Sequence, residues 1–389
     1  MAMAGTGRRP GVKRQTRAVL GRLIAAILVP LLGAITLWRR ALGVGNDQGE
    51  PRSVLLVRLD LMGDVVNGLS AAHAARQRWP QAHIAFMAPP QWRAIVDRCS
   101  AVDETIALDP AVVTHWPACL DPRRWGSLLL ALFRLRKRRF DLAVSIYGPI
   151  AGTVVALSGA RERRGYGREA PPFSFDRAFA GERRNGGPHE TELAARLIGD
   201  DLPPWRTIDR TEDLPVPSAL TGVGRPLVVA HAGAAHGDAK RWPEEHWKHT
   251  LAELAESGAT VALVGLAGDG ALARRLQGAV HNLIDLAGET SLESLMGTLQ
   301  AADLVISTDS GPAHLARALG TRVIALHGPT DTALHGPGDP TCAALRVEIP
   351  CGPCYDFRRV ATCQFGDTLC MEWLNPERVV GVAHSMLAP

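Results

Sequence analysis

The sequence predicts an α/β protein with two doubly wound sheets facing a shared cleft, and three observations carry that reading. Short apolar, β-branched runs alternate with helix-period segments in two separate series, the pattern of parallel βαβ units. A Pro- and Gly-rich stretch over residues 159–226 separates the two series. Polar, glycine-bearing turns follow several of the strands, and open parallel sheets bind ligands where strands give way to helices.

The first series opens with the strand SVLLVRL (53–59), followed by DLMGD and a helix-spaced segment that runs to Pro80. HIAFMAPP (83–90) is the next strand, a helix is expected through 92–98, and DETIALD (103–109) is a third strand. RRWGSLLLALFRLRKRRF (123–140) has amphipathic helical spacing and leads into the strand DLAVSIYG (141–148). In the intervening stretch only HETELAARLIGD (189–200) has helical spacing. The second series starts at PLVVAHAG (226–233) and continues through the helix PEEHWKHTLAELAESG, with Pro243 at its start and Gly258 at its end. The strands TVALVG, NLIDLAG, DLVIST and RVIALHG then alternate with the helices GDGALARRLQG, SLESLMGTLQAA and PAHLARALG. The expected organisation is a leader over 1–50, domains over 51–222 and 223–375, and a last helix over 376–389.

At 389 residues the chain is long for one core, which fits two domains. Apolar residues make up 46% of it, as expected of a folded body. The net charge of +4 is unevenly placed: residues 1–52 hold nine Lys/Arg against Asp47 and Glu50, so the remainder is slightly acidic. A slightly acidic body argues against nucleic acid as the partner. Within the leader, residues 23–38 are uncharged, with Arg22 before them and Arg39 and Arg40 after. That run is shorter than the ~20 residues a spanning helix needs, and Pro30 interrupts it. A membrane-interface or re-entrant anchor is the preferred reading, with a tilted span or an unstructured start as the alternatives.

Four turns bear the chemistry. In RLDLMGDVVN, Gly63 permits a tight backbone and Asp64 falls at the helix N-cap, where it either only caps the helix or serves as a general base at the cleft. In HAGAAHGDAKRWP, bare backbone at Gly233, Ala234 and Ala235 with the cation Lys240 makes either an anion site or a solvated basic loop. In STDSGPAHLARALG, Ser310, Gly311 and the helix start can donate to phosphate, whereas Asp309 can only accept, as from sugar hydroxyls. His314 lies one turn inside that helix, facing the ligand or packing. In LHGPTD, Thr330 and Asp331 can line the same ligand. A nucleotide sugar, with a diphosphate and a hydroxyl-rich ring, satisfies such a set. No GxxxxGK[ST] loop occurs, and VGLAGDG lacks the spacing of a dinucleotide fingerprint, which leaves a dehydrogenase as a weak rival.

These turns, in this order, resemble glycosyltransferase family 9, the lipopolysaccharide heptosyltransferases, over residues 53–380. The resemblance implies a GT-B fold of two Rossmann-like domains and an inverting transfer without a required metal or cofactor. The donor it implies is ADP-heptose or a similar nucleotide sugar, and the acceptor a hydroxyl of a lipopolysaccharide core or related lipid-linked glycan. By position, Asp64 resembles the catalytic base. Lys240, with the amides of Ala234 and Ala235, resembles the diphosphate contact, and Asp309 the donor-sugar contact. Ser310, Gly311 and His314 complete the donor pocket, and Thr290 stands at the adenine edge. The family's acidic ribose contact has no clear counterpart, although Asp269 is near in sequence. A cytosolic donor and a lipid-linked acceptor imply a body at the cytoplasmic face of the inner membrane, attached through the leader. Within this class, another nucleotide sugar, a protein acceptor or a non-catalytic binding role stay open. RERRGYGRE (161–169) offers cations for acceptor phosphates or is a solvated loop. Cys351, Cys354, Cys363 and Cys370 have a spacing that could hold zinc or iron, or they are reduced thiols beside the cleft.

Overall fold

The computed structural model describes residues 33–34, 38, 41, 49–111, 121–181, 183–199, 204–234, 237–355 and 362–388. Most of the leader's uncharged run and Ala235 therefore lie outside the described residues. Two six-stranded sheets organise the chain, and every pairing in both is parallel.

The first sheet comprises β1 (Ser53–Val57), β2 (His83–Ala88), β3 (Glu104–Ala107), β4 (Leu142–Ser145), β5 (Glu162–Tyr166) and β6 (Arg177–Phe179). Its helices are α1 (Met62–Arg78), α2 (Pro122–Arg138), α3 (Pro149–Leu157) and α4 (Glu190–Arg196). The second sheet comprises β7 (Leu227–His231), β8 (Thr260–Leu263), β9 (Ile284–Asp285), β10 (Leu304–Thr308), β11 (Val323–His327) and β12 (Ala343–Arg346). Its helices are α5 (Glu244–Glu256), α6 (Gly270–Gln277), α7 (Leu292–Ala301), α8 (Gly311–Leu319) and α9 (Pro376–Leu387).

The strand order is β3-β2-β1-β4-β5-β6 in the first sheet and β12-β11-β10-β7-β8-β9 in the second. Counted from its own first strand, each sheet has the same doubly wound order. The central strands are buried on both faces, and β1, β7, β10 and β11 are mostly apolar for that reason, with polar residues at their ends. In such sheets the order reverses between the first and fourth strands, here β1/β4 and β7/β10. Ligands bind beyond the strand ends at that reversal.

Strands β5, β6 and β12 fall where the alternation gave no strand. In β5 the sequence ERRGY looks like a solvated basic segment, but Arg163 is fully buried and its guanidinium donates to Asp176 at 2.7 and 2.9 Å. Arg164 donates to Glu162 at 2.6 Å. These two arginines are spent on internal pairs, so of the two readings of RERRGYGRE neither a solvated loop nor free cations for acceptor phosphates describes Arg163 and Arg164.

One apolar cluster runs through both halves: Val65, Val66 and Leu69 of α1 belong to it together with Leu315, Ala316 and Leu319 of α8. The two helices meet at glycines. A Cβ on Gly63 would stand 2.7 Å from the His314 ring, and one on Gly311 would stand 2.4 Å from the Met62 methyl. Deeper along the contact, Arg317 donates to Asn67 at 2.8 Å in a buried setting. The last helix, α9, sends Val379 and Ala383 into the core of the second sheet.

Candidate active site

The two reversal points hold the polar turns. On the first sheet, the backbone leaves β1 at Arg58 and enters α1 at Met62. Asp64 is not the N-cap that its spacing suggested. Leu61 holds that position, and Asp64 sits within the first turn, about a quarter exposed. Its carboxylate accepts from Arg58 at 2.9 Å. Arg58 itself is buried, with Asp60 at 3.0 Å, Glu190 at 3.4 Å and the Tyr147 ring 4.9 Å below. Burial works against its charge, yet Asp64, Asp60 and Glu190 together hold it above the ordinary guanidinium range. Burial pushes Asp60 up to about 7, with Asp64 adding to the rise and Arg58 opposing it. Glu190, the first residue of α4, is buried as well. Against that burial, Arg183 and Arg58 hold it down to about 2. Arg183 also pairs with Glu169.

On the second sheet, β7 leads through Ala234, which is buried, to the turn Asp238–Lys240. The Lys240 ammonium donates to the Asp309 carboxylate at 2.8 Å and lies 4.7 Å from the centre of the Tyr355 ring. Asp309 follows β10 and is 6% exposed, so its charge must be compensated from within the protein. Burial opposes that charge, but Lys240 and then His327 hold the carboxyl well below its usual range. The pair acts in both directions: burial lowers Lys240, and Asp309 more than restores it.

Ser310 is the N-cap of α8 but makes no side-chain cap bond. Its hydroxyl turns into the sheet, 3.1 Å from His231 Nδ1, and donates to the Thr308 carbonyl at 3.0 Å. Burial lowers both His231 and His327 to about 4, so both are neutral near pH 7. His314 packs against Gly63 and also reaches Asp309, with Nε2 at 3.7 Å. Among the described residues, His314 Nδ1 and His327 Nε2 are buried without a hydrogen-bond partner.

The structure thus brings together Asp309, Ser310, Gly311, His314 and Lys240, with Ala234 on the adjoining strand exit. Asp64 joins them from the other half: it contributes to holding Lys240 charged, and Gly63 beside it touches His314. Thr290, partly buried, stands on the turn before α7, and its side chain shares no hydrogen bond with this cluster among the described residues. Asp269 caps its own turn by accepting from Leu266 at 2.9 Å, and its carboxylate lies against Gly233. Asp331 caps the turn Thr332–His335 and also accepts from the Gly186 amide, so it ties the two halves across the cleft. Asn185 donates to the Pro353 carbonyl at 2.9 Å in the same strap.

Cys351, Cys354, Cys363 and Cys370 line one cavity of about 210 Å³ beside Tyr355. Cys363 donates to the Asp367 carbonyl at 2.7 Å, and burial raises the Cys354 and Cys370 thiols. Among the described residues, no three His, Cys, Asp or Glu side chains are grouped so that they could hold a metal ion.

The sequence reading missed the acid–guanidinium cluster behind Asp64. Arg58 and Asp60 stood in the quoted turn, but Glu190, Arg183 and Glu169 are more than a hundred residues away. The one available signal was the presence of charged residues inside apolar or glycine-rich surroundings.

Two parallel sheets of matching order, with an acid at one reversal point and a lysine–aspartate pair at the other, define a glycosyltransferase of the GT-B class. The sequence matches the model of glycosyltransferase family 9 (heptosyltransferase) over residues 131–364, and the chain belongs to that family. It is similar to lipopolysaccharide heptosyltransferase 2 of Salmonella typhimurium, with 26% identity over 86% of this chain and 98% of the relative. It is also similar to lipopolysaccharide heptosyltransferase 1 of Pseudomonas aeruginosa, with 27% identity over 86% of this chain and 98% of the relative. Among solved structures, the ADP-heptose lps heptosyltransferase II of E. coli has the same fold, with a TM-score of 0.65 and 23% identity. That match covers 86% of this chain and 98% of the other.

Proposed function

We propose that the protein is an inverting glycosyltransferase that moves a heptose from ADP-heptose to a hydroxyl of a lipopolysaccharide core or related glycan. The observation that carries this reading is that the turn bearing Asp64 abuts His314 at Gly63, and His314 in turn reaches the Asp309 carboxylate that Lys240 pairs. Each element then has a task. The amide at Ala234, the N-terminus of α8 at Gly311 and the Lys240 ammonium face the donor's pyrophosphate, and Ala235, assigned with them from the sequence, lies outside the described residues. Asp309, with Ser310 and His314 beside it, accepts from hydroxyls of the donor sugar, and Thr290 stands at the adenine edge.

A glycan hydroxyl is a weak nucleophile, so a base must take its proton as the new bond forms. Asp64 is the base in this reading: Arg58 fixes one side of its carboxylate and leaves the other exposed. The acceptor oxygen bonds to the anomeric carbon while the bond from that carbon to the pyrophosphate oxygen breaks. The proton passes to Asp64, and the electron pair leaves with ADP. Charge grows on the departing pyrophosphate, where Lys240 and the α8 N-terminus stabilise it. Neutral His231 and His327 behind the site add no competing charge.

Body and membrane are joined in the same reading. No helix among the described residues is long and apolar enough to cross a membrane. The basic leader, with its uncharged run over 23–38, attaches the protein to the cytoplasmic face of the inner membrane as a peripheral or monotopic segment. In this reading the acceptor domain is 51–222, around the first sheet, and the donor domain 223–375, around the second. The test is a donor screen: nucleoside diphosphate release should require both ADP-heptose and a glycan acceptor. Equal release from several unrelated nucleotide sugars would remove the heptose assignment.

A further inference from the structure

Helix α2 has two apolar faces. Leu128, Ala131, Leu132 and Leu135 pack inward against the cluster that covers one side of the first sheet. Leu129, Leu130 and Phe133 point the other way and are 62%, 47% and 56% exposed. Adjacent large apolar side chains left in water on one helix face mark a contact surface. Charge says what kind. Residues 122–139 hold seven Lys/Arg and no Asp or Glu. Arg138 pairs with Glu104, and Arg124 with Asp109 and Asp121. Arg123, Arg134, Lys137 and Arg139 have no ion pair with a described residue. The Lys137 ammonium lies 4.6 Å from the centre of the Phe133 ring, so the cation and the apolar patch form one surface.

We infer that the outer face of α2 docks on an anionic phospholipid surface. Its leucines and phenylalanine enter the headgroup boundary, and the flanking cations meet lipid phosphates. The inference rests on the membrane attachment proposed above and gives it a second contact, separate from the leader. The position of Gly33 supports this. A Cβ on Gly33 would stand 3.5 Å from the ring of Phe173, which is itself half exposed. The loop bearing Phe173 packs on α3 through Ala170 and Phe175, and Phe175 shares the inner cluster with Leu135 of α2. Gly33 therefore lies on the side of the first sheet where α2 is exposed. Two attachments on one side would fix the orientation of the cleft to the membrane, whereas a leader alone would act as a tether.

The test is flotation of the full chain with phosphatidylcholine vesicles, with and without phosphatidylglycerol. Wild type should bind the anionic vesicles and lose binding as salt rises. The variants L129S/F133S and R134E/K137E change only exposed side chains. Each should bind at least about tenfold more weakly, with unchanged nucleoside diphosphate release on a soluble acceptor fragment. Equal flotation of wild type and both variants would overturn the inference and assign attachment to the leader alone. A vesicle-free change of oligomeric state in the variants would overturn it in favour of a contact between copies of the chain. Absence of nucleotide release in every form would count against the proposed reaction and leave the flotation result standing.

Discussion

Removing the Arg58 guanidinium would leave Asp60, Asp64 and Glu190 without the cation they share, with Arg183 still paired to Glu190. Breaking a buried charge network from one side is costly, so Arg58→Met should lower stability by about 3–5 kcal/mol, read from urea unfolding. It should also lower turnover, because the Asp64 carboxylate loses the one side-chain hydrogen bond it accepts among the described residues. Lys240→Met makes the parallel case on the second sheet. It leaves Asp309 buried without its lysine partner, and should cost about 3–5 kcal/mol while weakening the donor's hold. At this scale the sequence was informative about Asp64, Lys240 and Asp309, since each stands in a turn whose glycines and flanking strands can be read locally. It was silent about what holds them. The Lys240–Asp309 pair joins residues 69 apart, and Glu190 reaches Arg58 across 132 positions. Only the fold brings such partners together.

Helices α1 and α8 cross where neither can carry a larger residue without displacement. The two glycines are not equivalent. Gly63 faces the His314 ring, which is buried and lies against Asp309, whereas Gly311 faces the flexible end of Met62. Gly63→Ala should therefore destabilise by about 1–3 kcal/mol and reduce turnover, because His314 must move. Gly311→Ala should be milder on both counts, since a methionine terminus swings aside readily. Comparing the urea midpoints and turnover numbers of the two variants checks this order, and a greater loss in Gly311→Ala would contradict the packing described. The sequence pattern located both helices because each follows an apolar strand and has helical spacing. It did not locate β5 or β12: β5 is short and charged, and Arg163 is buried there only because Asp176 meets it.

Across the whole molecule, buried histidines make stability depend on pH. His231 and His327 are lowered to about 4 and His189 to about 3, chiefly by burial. In the unfolded chain each would titrate near its ordinary value of 6.5. Between that value and the folded ones, the unfolded state binds more protons. Their contribution is therefore complete above pH 6.5 and is lost as pH falls toward 4. Each adds a slope of up to about 1.4 kcal/mol per pH unit. Tm should accordingly drop between pH 7 and pH 5, and His327→Gln should flatten that drop. The two-sheet plan itself was legible in the alternation of strands and helices. The apolar cluster that α1 and α8 share was not, because helical spacing shows that a face is buried without showing what buries it.

In the proposed reaction the two sheets divide the labour, with the base on the first and the donor contacts on the second. The most direct test compares Asp64→Asn with wild type in two assays, ADP-heptose binding by calorimetry and ADP release with acceptor present. Donor affinity should stay within about twofold, because the proposed donor contacts lie on the second sheet, while turnover falls by about 10²–10⁴. Full turnover in the variant, or donor binding lost together with turnover, would contradict the account.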